Sequence, residues 1–170
     1  MSLFTWMALA LGTVLMGLIT GFGFIVRKIA LLWYYFLVIF LITLLNGLTS
    51  SFLGTHVTFL PLRAVEILIG LAMVVIGLLL FRTKPNYPGT SDFLLLTLAL
   101  QLDVGLFFFH LAQSYSVGKG LIFTLATLIL GSMACGLFLA QKRWNNWRII
   151  LLYPYLPSIG LCLIGVMKVF

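Results

Sequence analysis

The chain has 170 residues, of which 63% are hydrophobic and only 8% charged, with a formal net charge of +7. A soluble domain carries roughly 45–50% apolar and about 25% charged residues, so this composition excludes a separate aqueous domain and predicts an integral membrane protein. The basic residues occur in dispersed pairs and triplets rather than in one patch, which speaks against a nucleic-acid partner and for a lipid bilayer.

At ~1.5 Å rise per residue, ~20 apolar residues cross a hydrocarbon core of ~30 Å. Six such runs can be drawn: Leu3 to Val26, Ala30 to Leu53, Ala64 to Phe81, Phe93 to Gln113, Leu121 to Ala140 and Ile149 to Val169. They predict an all-α membrane protein with six transmembrane helices in a single domain, residues 1–170.

The first run has no Lys or Arg ahead of it and no small-residue cleavage site behind it, which predicts a retained span rather than a signal peptide. Within it Gly17 and Gly21 form a GxxxG pair, suited to close helix packing. The second run concentrates neutral polar groups at Thr43, Asn46, Thr49, Ser50 and Ser51. Thr43, Asn46 and Ser50 share helical spacing and could offer oxygens to a cation or donors to an acid. At the start of the third run, Glu66 follows Arg63 by three positions, as in an interfacial ion pair.

The polar break from Arg82 to Asp92 contains two prolines and a glycine and divides the chain into three helices and three helices. The fourth run then carries Asp103 at its middle. A carboxylate at bilayer depth costs at least ~2.5 kcal/mol and calls for a partner, a cavity or a ligand, so Asp103 is the leading functional candidate. His110 lies seven positions on, nearly on the same face and ~10 Å along the axis, with Ser114 continuing the stripe. That separation suits a relay better than a two-residue metal site; Asp103 alone is the candidate metal ligand.

The fifth run is rich in small residues at Gly131, Ser132, Ala134 and Gly136. Cys135 and Cys162 lie in apolar segments without C-x-x-C spacing, as packing residues do. Pro154 and Pro157 in the sixth run predict a kink, and Trp144, Trp147 and Arg148 read as interface anchors.

Three spans per half would make a duplicated half insert upside down, so the layout predicts a 3+3 inverted repeat: residues 1–81 and 93–170 joined by the loop 82–92. Gly17 pairs with Gly105 and Leu15 with Asp103; IGLA at Ile69 to Ala72 parallels IGLC at Ile159 to Cys162, and each is followed by a second Ile-Gly. Arg27, Lys28, Arg82, Lys84, Lys142, Arg143 and Arg148 fall on one side, and Arg63, Lys119 and Lys168 on the other. The positive-inside rule then puts both termini outside, in a bacterial inner or plasma membrane.

LALQLDVGLFFFHLA, Leu98 to Ala112, together with the layout and the glycine-rich third and sixth helices, resembles the manganese efflux pump family within the lysine exporter superfamily. The resemblance implies a six-helix cation exporter of two three-helix repeats, each first helix carrying an acid. Asp103 matches the second-repeat acid, whereas the first repeat is degenerate, with Leu15 in that position.

Phosphate-cradling loops, H-E-x-x-H and nucleophile elbows are missing, so neither an enzyme nor a cofactor is expected. The expected function is a small secondary transporter or exporter of manganese, another small cation or a small solute, using Asp103, with His110, Asn46, Thr43 and Ser50 as further ion-binding candidates. The alternatives are a non-transporting membrane subunit that binds its own copies or another membrane protein, an amino-acid exporter, and a substrate-capturing subunit of an importer.

Overall fold

A computed structural model describes residues 3–27, 33–57, 61–82, 90–114, 117–144 and 155–170. These residues form six helices: α1 Leu3–Val26, α2 Trp33–His56, α3 Leu62–Arg82, α4 Thr90–Ser114, α5 Lys119–Trp144 and α6 Leu156–Val169. Each coincides with one of the apolar runs. Four of them, α2 to α5, are long and apolar enough to cross a membrane; the described apolar stretches of α1 and α6, Ala10–Val26 and Leu156–Val169, are shorter. Leu, Phe, Val and Met side chains project outward along the helices, among them Leu45, Phe52, Leu68, Phe138 and Met167. In water such a surface would cost free energy, and against lipid tails it costs none, so the protein is suited to an integral membrane position.

The fourth helix is the centre of the bundle. In its apolar window 61% of residues are buried, against 22–33% in α2, α3 and α5. It packs on α1, α2 and α3, while α6 lies along α3 and α5 lies along α1 and α2. Leu100, Val104, Phe107 and Phe108 of α4 form the core with Met16, Phe24, Ile39 and Met73.

Two of these contacts are backbone-close. At the antiparallel α3–α6 crossing, a Cβ added to Gly70 would lie 2.6 Å from the Gly165 carbonyl oxygen, and one added to Gly165 would lie 2.6 Å from that of Gly70. One turn on, Cys162 Sγ donates a weak 3.8 Å hydrogen bond to the Val74 carbonyl, so this cysteine has a packing role. Along the α1–α5 contact, a Cβ on Gly21 would run into the Met133 carbonyl and one on Gly136 into that of Leu18. Small residues thus do what membrane helices need: they bring backbones close enough for dispersion to replace the missing hydrophobic drive.

Pro157 does not kink a long sixth helix as its position in an apolar run predicts. It occupies the first turn of α6, where its absent N–H would have had no intrahelical acceptor, and it is buried. Pro154, Trp147 and Arg148 lie outside the described residues.

Because the Gly165 hydrogen faces a backbone carbonyl that cannot rotate away, Gly165→Val should destabilise the bundle by ~2–3 kcal/mol through overpacking. Gly131→Val, where a Cβ meets nothing within 4 Å, should change stability far less. Unfolding of both variants in detergent micelles checks the pair, and equal losses would contradict this packing.

Candidate functional site

Two faces of α4 carry different chemistry, because residues seven apart on a helix point the same way whereas residues two apart point nearly oppositely. Gln101 and Gly105 face α2, and Asp103 and His110 face α3 and α6.

On the first face, Asn46 Nδ2 donates to the Gln101 carbonyl at 2.6 Å and to Gln101 Oε1 at 3.2 Å. Gln101 Nε2 donates to Thr43 Oγ1 at 2.9 Å, and Ser50 Oγ donates to Asn46 Oδ1 at 3.2 Å. Thr43 in turn donates to the Ile39 carbonyl of its own helix. Asn46 and Thr43 are thus hydrogen-bonded to Gln101 across the α2–α4 contact, whereas Ser50 bonds only Asn46 on its own helix. Beside them an open cleft of ≈ 280 Å³ runs between α2, α3 and α4, lined by Asn46, Ser50 and Gln101 together with apolar side chains such as Val65 and Phe109.

On the second face Asp103 is 1% exposed, and its Oδ1 lies 2.7 Å from Nζ of Lys168, which is 15% exposed. Asp103 Oδ2 has no hydrogen-bond partner among the described residues. His110 is fully buried; its Nε2 lies 3.2 Å from Glu66 Oε1, close enough for an ion pair but not aligned as a hydrogen bond. Glu66 Oε2 accepts from Arg63 at 3.2 Å, as the i, i+3 spacing predicts, and Arg63 also donates to the carbonyls of Val169 and Phe170 at the end of α6. Ser114, read as the continuation of the stripe, is exposed at the helix end.

A second buried ion pair lies at the opposite end of α4. Arg27 Nη1 donates to Asp92 Oδ2 at 2.8 Å, with both side chains essentially inaccessible. Arg27 Nη2 donates to the Leu80 carbonyl and, at 3.3 Å, to Ser158 Oγ. One guanidinium therefore ties α1 to α3, α4 and α6, using the planar fork that suits Arg to buried pairing. Arg27 is not the free loop charge that the positive-inside reading takes it to be, and Asp92 belongs to the first turn of α4 rather than to the loop.

Lys168, Gln101, Arg27 and Asp92 are the residues that sequence reasoning passed over. Each sat in a place with a ready bland explanation: a basic residue at a helix end, or a polar group beside a more conspicuous acid. Among the described residues no group of three or more His, Cys, Asp or Glu side chains could hold a metal ion. Comparison with protein families, with curated proteins and with solved structures gives no match to this chain.

Removing one partner of a buried pair leaves the other charged in an apolar site. Lys168→Met should therefore destabilise the folded protein by ~3 kcal/mol, the low end for buried pairs because Lys168 keeps some exposure. The double variant Asp103→Asn with Lys168→Met should recover most of that loss in a double-mutant cycle of detergent unfolding; strict additivity would mean that the two groups do not interact.

Proposed function

We propose that this chain is a small secondary transporter built of two inverted three-helix halves, in which Asp103 is the coupling acid and Lys168 its counter-charge. The observation that carries this reading is the paired, buried carboxylate at the middle of the central helix, with Oδ1 on Lys168 and Oδ2 unoccupied by any described residue. Such a group can exchange a lysine for a proton or cation as the cycle turns, and intramembrane acids in general mark ion pathways.

Packing supports the repeat. Exchanging α1 with α4, α2 with α5 and α3 with α6 turns the set of major helix contacts into itself: α1–α5 becomes α4–α2, and α3–α4 becomes α6–α1. The α3–α6 crossing obeys the same exchange residue by residue. A Cβ on Gly165 meets Val74 and the Gly70 carbonyl, and a Cβ on Gly77 meets Cys162 and the Ser158 carbonyl. Gly77 and Gly165, Val74 and Cys162, and Gly70 and Ser158 are each 88 positions apart, as are Gly17 and Gly105. This single spacing favours the second Ile-Gly pairs of the two halves over the IGLA and IGLC match. Inverted halves give a site two exits related by a pseudo-two-fold rotation, the usual basis of alternating access.

With Arg27 and Lys168 counted as internal, Lys28, Arg82, Lys84, Lys142, Arg143 and Arg148 still oppose only Arg63 and Lys119, so the proposed orientation has both termini outside. The donor set speaks against manganese as the ion on Asp103. A divalent cation wants several oxygen ligands, and this carboxylate already faces an ammonium group. A proton or a monovalent cation fits the single free oxygen better. The likeness to manganese exporters therefore bears on layout more than on cargo.

One observation favours a second reading, a non-transporting membrane subunit. All three acids of the chain are already ion-paired, Asp92 with Arg27, Glu66 with Arg63 and Asp103 with Lys168, as they would be if they served only to hold helices together. Proteoliposomes offered manganese, monovalent cations and a panel of amino acids, with and without a pH gradient, separate the two. Transport predicts a flux that falls ~100-fold or more in Asp103→Asn, a barrier rise of about 3 kcal/mol. Absence of any flux from folded wild-type protein, or flux indifferent to Asp103, would favour the subunit.

A further inference from the structure

The polar groups between α2 and α4 are not equally hidden. Thr43 is fully buried, whereas Asn46, Ser50 and Gln101 are half-buried and line the cleft of ≈ 280 Å³ between α2, α3 and α4. Gln101 lies two residues from Asp103, at the middle of a membrane-length helix, where water is not at hand to satisfy what these side chains present to the cleft. An amide nitrogen carries two hydrogens and a carbonyl oxygen two lone pairs. Among the described residues Gln101 Nε2 donates only to Thr43, and Asn46 Oδ1 accepts only from Ser50, so one donor and one acceptor are left over. Glue between helices does not require either to border open space.

The neighbouring residues hold these atoms in place and leave them accessible. Thr43, Thr49 and Thr55 of α2 each donate to a carbonyl of their own helix, the ordinary outlet for a hydroxyl in lipid. Ser50 instead donates to Asn46 Oδ1, and with Gln101 it fixes the Asn46 amide from both ends. Gly105, which also lines the cleft, has no side chain to cover them: a Cβ there would lie 3.2 Å from both Asn46 Oδ1 and Ser50 Oγ. In the other half a cleft of ≈ 260 Å³ lies between α1, α5 and α6, and its lining, with Leu18, Phe22, Leu139 and Pro157, is apolar throughout. Leu18 and Leu106, and Pro157 and Ile69, are 88 positions apart, so the two clefts occupy matching places in the proposed repeat. Helix packing thus makes the groove without amides, and the polar lining of the α2–α3–α4 cleft is an addition to it.

We infer that this cleft is a binding site for a small uncharged solute with an apolar body and an amide-like head that both donates and accepts hydrogen bonds. Gln101 Nε2 donates to the head, and Asn46 Oδ1 accepts from it. No charged side chain lines the cleft, so an ion or a zwitterion would sit there unpaired at membrane depth. A cavity of about 150 Å³ already takes up benzene, so this one has room for a ring-sized body and its head. The site stands on its own lining, whether or not the chain transports.

The test is fluorine NMR of para-fluorobenzamide with the full-length protein in lipid nanodiscs, with empty nanodiscs subtracted. Its controls are para-fluorobenzoate, the charged isostere, and para-fluoroethylbenzene, which lacks the polar head. Wild type should bind the amide saturably, the benzoate not at all and the ethylbenzene ~10-fold more weakly. Replacing both partners of a hydrogen bond by apolar groups leaves no orphan, so Asn46→Leu with Gln101→Leu should fold, lose amide affinity ~10-fold or more and keep its affinity for the ethylbenzene. Val65→Trp, which fills the cleft without touching any of these hydrogen bonds, should abolish amide binding and guards against misfolding of the double variant. The site is overturned if wild type shows no saturable amide binding, if amide and ethylbenzene bind equally, as in a general groove for lipid tails, or if neither variant moves the affinity. Binding is read without flux, so this proposal and the transporter fail separately: amide binding without flux removes the transporter alone, and Asp103-dependent flux without amide binding removes the site alone.

Discussion

A carboxylate in an apolar bundle must find a cation, and in this protein that constraint decides which helix ends meet. Asp92 draws Arg27 from the end of α1, and the same guanidinium reaches the last turns of α3 and the first of α6. Asp103 draws Lys168 from the other end of α6. Two ion pairs thus fasten α6 at both its ends, one to each half of the central helix. A buried ion pair adds little net stability over a well-packed apolar pair of similar volume, but breaking it is expensive. What it supplies here is position: sliding α6 along α3 would strand Lys168 and Ser158 together.

The glycine crossing makes that arrangement geometrically attainable. Gly70, Gly77 and Gly165 let α3 and α6 meet almost backbone to backbone. With larger residues there α6 would stand farther from the bundle axis, and the lysine arm would fall short of a carboxylate on α4. Glu66 and His110 depend on the same closeness, since α3 must hold the glutamate against α4 while Arg63 grips the end of α6. Packing and electrostatics are therefore one design at this end of the molecule. The polar seam of Asn46, Gln101 and Thr43 anchors the opposite face of α4, leaving the Asp103 face to the charged groups.

Helix positions were legible in the sequence because hydrophobic runs and the lengths needed to cross lipid leave few alternatives, and Asp103 stood out for the same reason. Its partner was not legible. Hydropathy counts Lys168 as a residue at the end of an apolar run, where lysines commonly reach for headgroups, and only the antiparallel α3–α6 crossing turns it inward. Arg27 was hidden by the positive-inside rule, which assigns each basic residue a side without asking whether it is buried. Spacing did find the Arg63–Glu66 pair, because both residues lie on one helix. It left open whether Asn46 meets a cation or an acid, and the structure bonds it to Gln101, because helical spacing says which residues share a face and nothing about which face a neighbouring helix meets.

Within the proposed repeat, the 88-position spacing that aligns the glycines also sets Asp103 opposite Leu15 and Lys168 opposite Leu80. Both members of the ion pair in one half thus correspond to leucines in the other. Had only one been replaced, the chain would carry an unpaired charge at membrane depth, which the bundle could hold only at a cost of several kcal/mol. The pair consequently comes or goes as a unit, and its presence in one half alone divides the labour. One half contributes the buried acid and its counter-charge; the other contributes leucines in their place and, through the Leu80 carbonyl, a fixed acceptor for Arg27. A single carboxylate already facing an ammonium group is a poor cage for a divalent ion, which two acids facing one another would suit better.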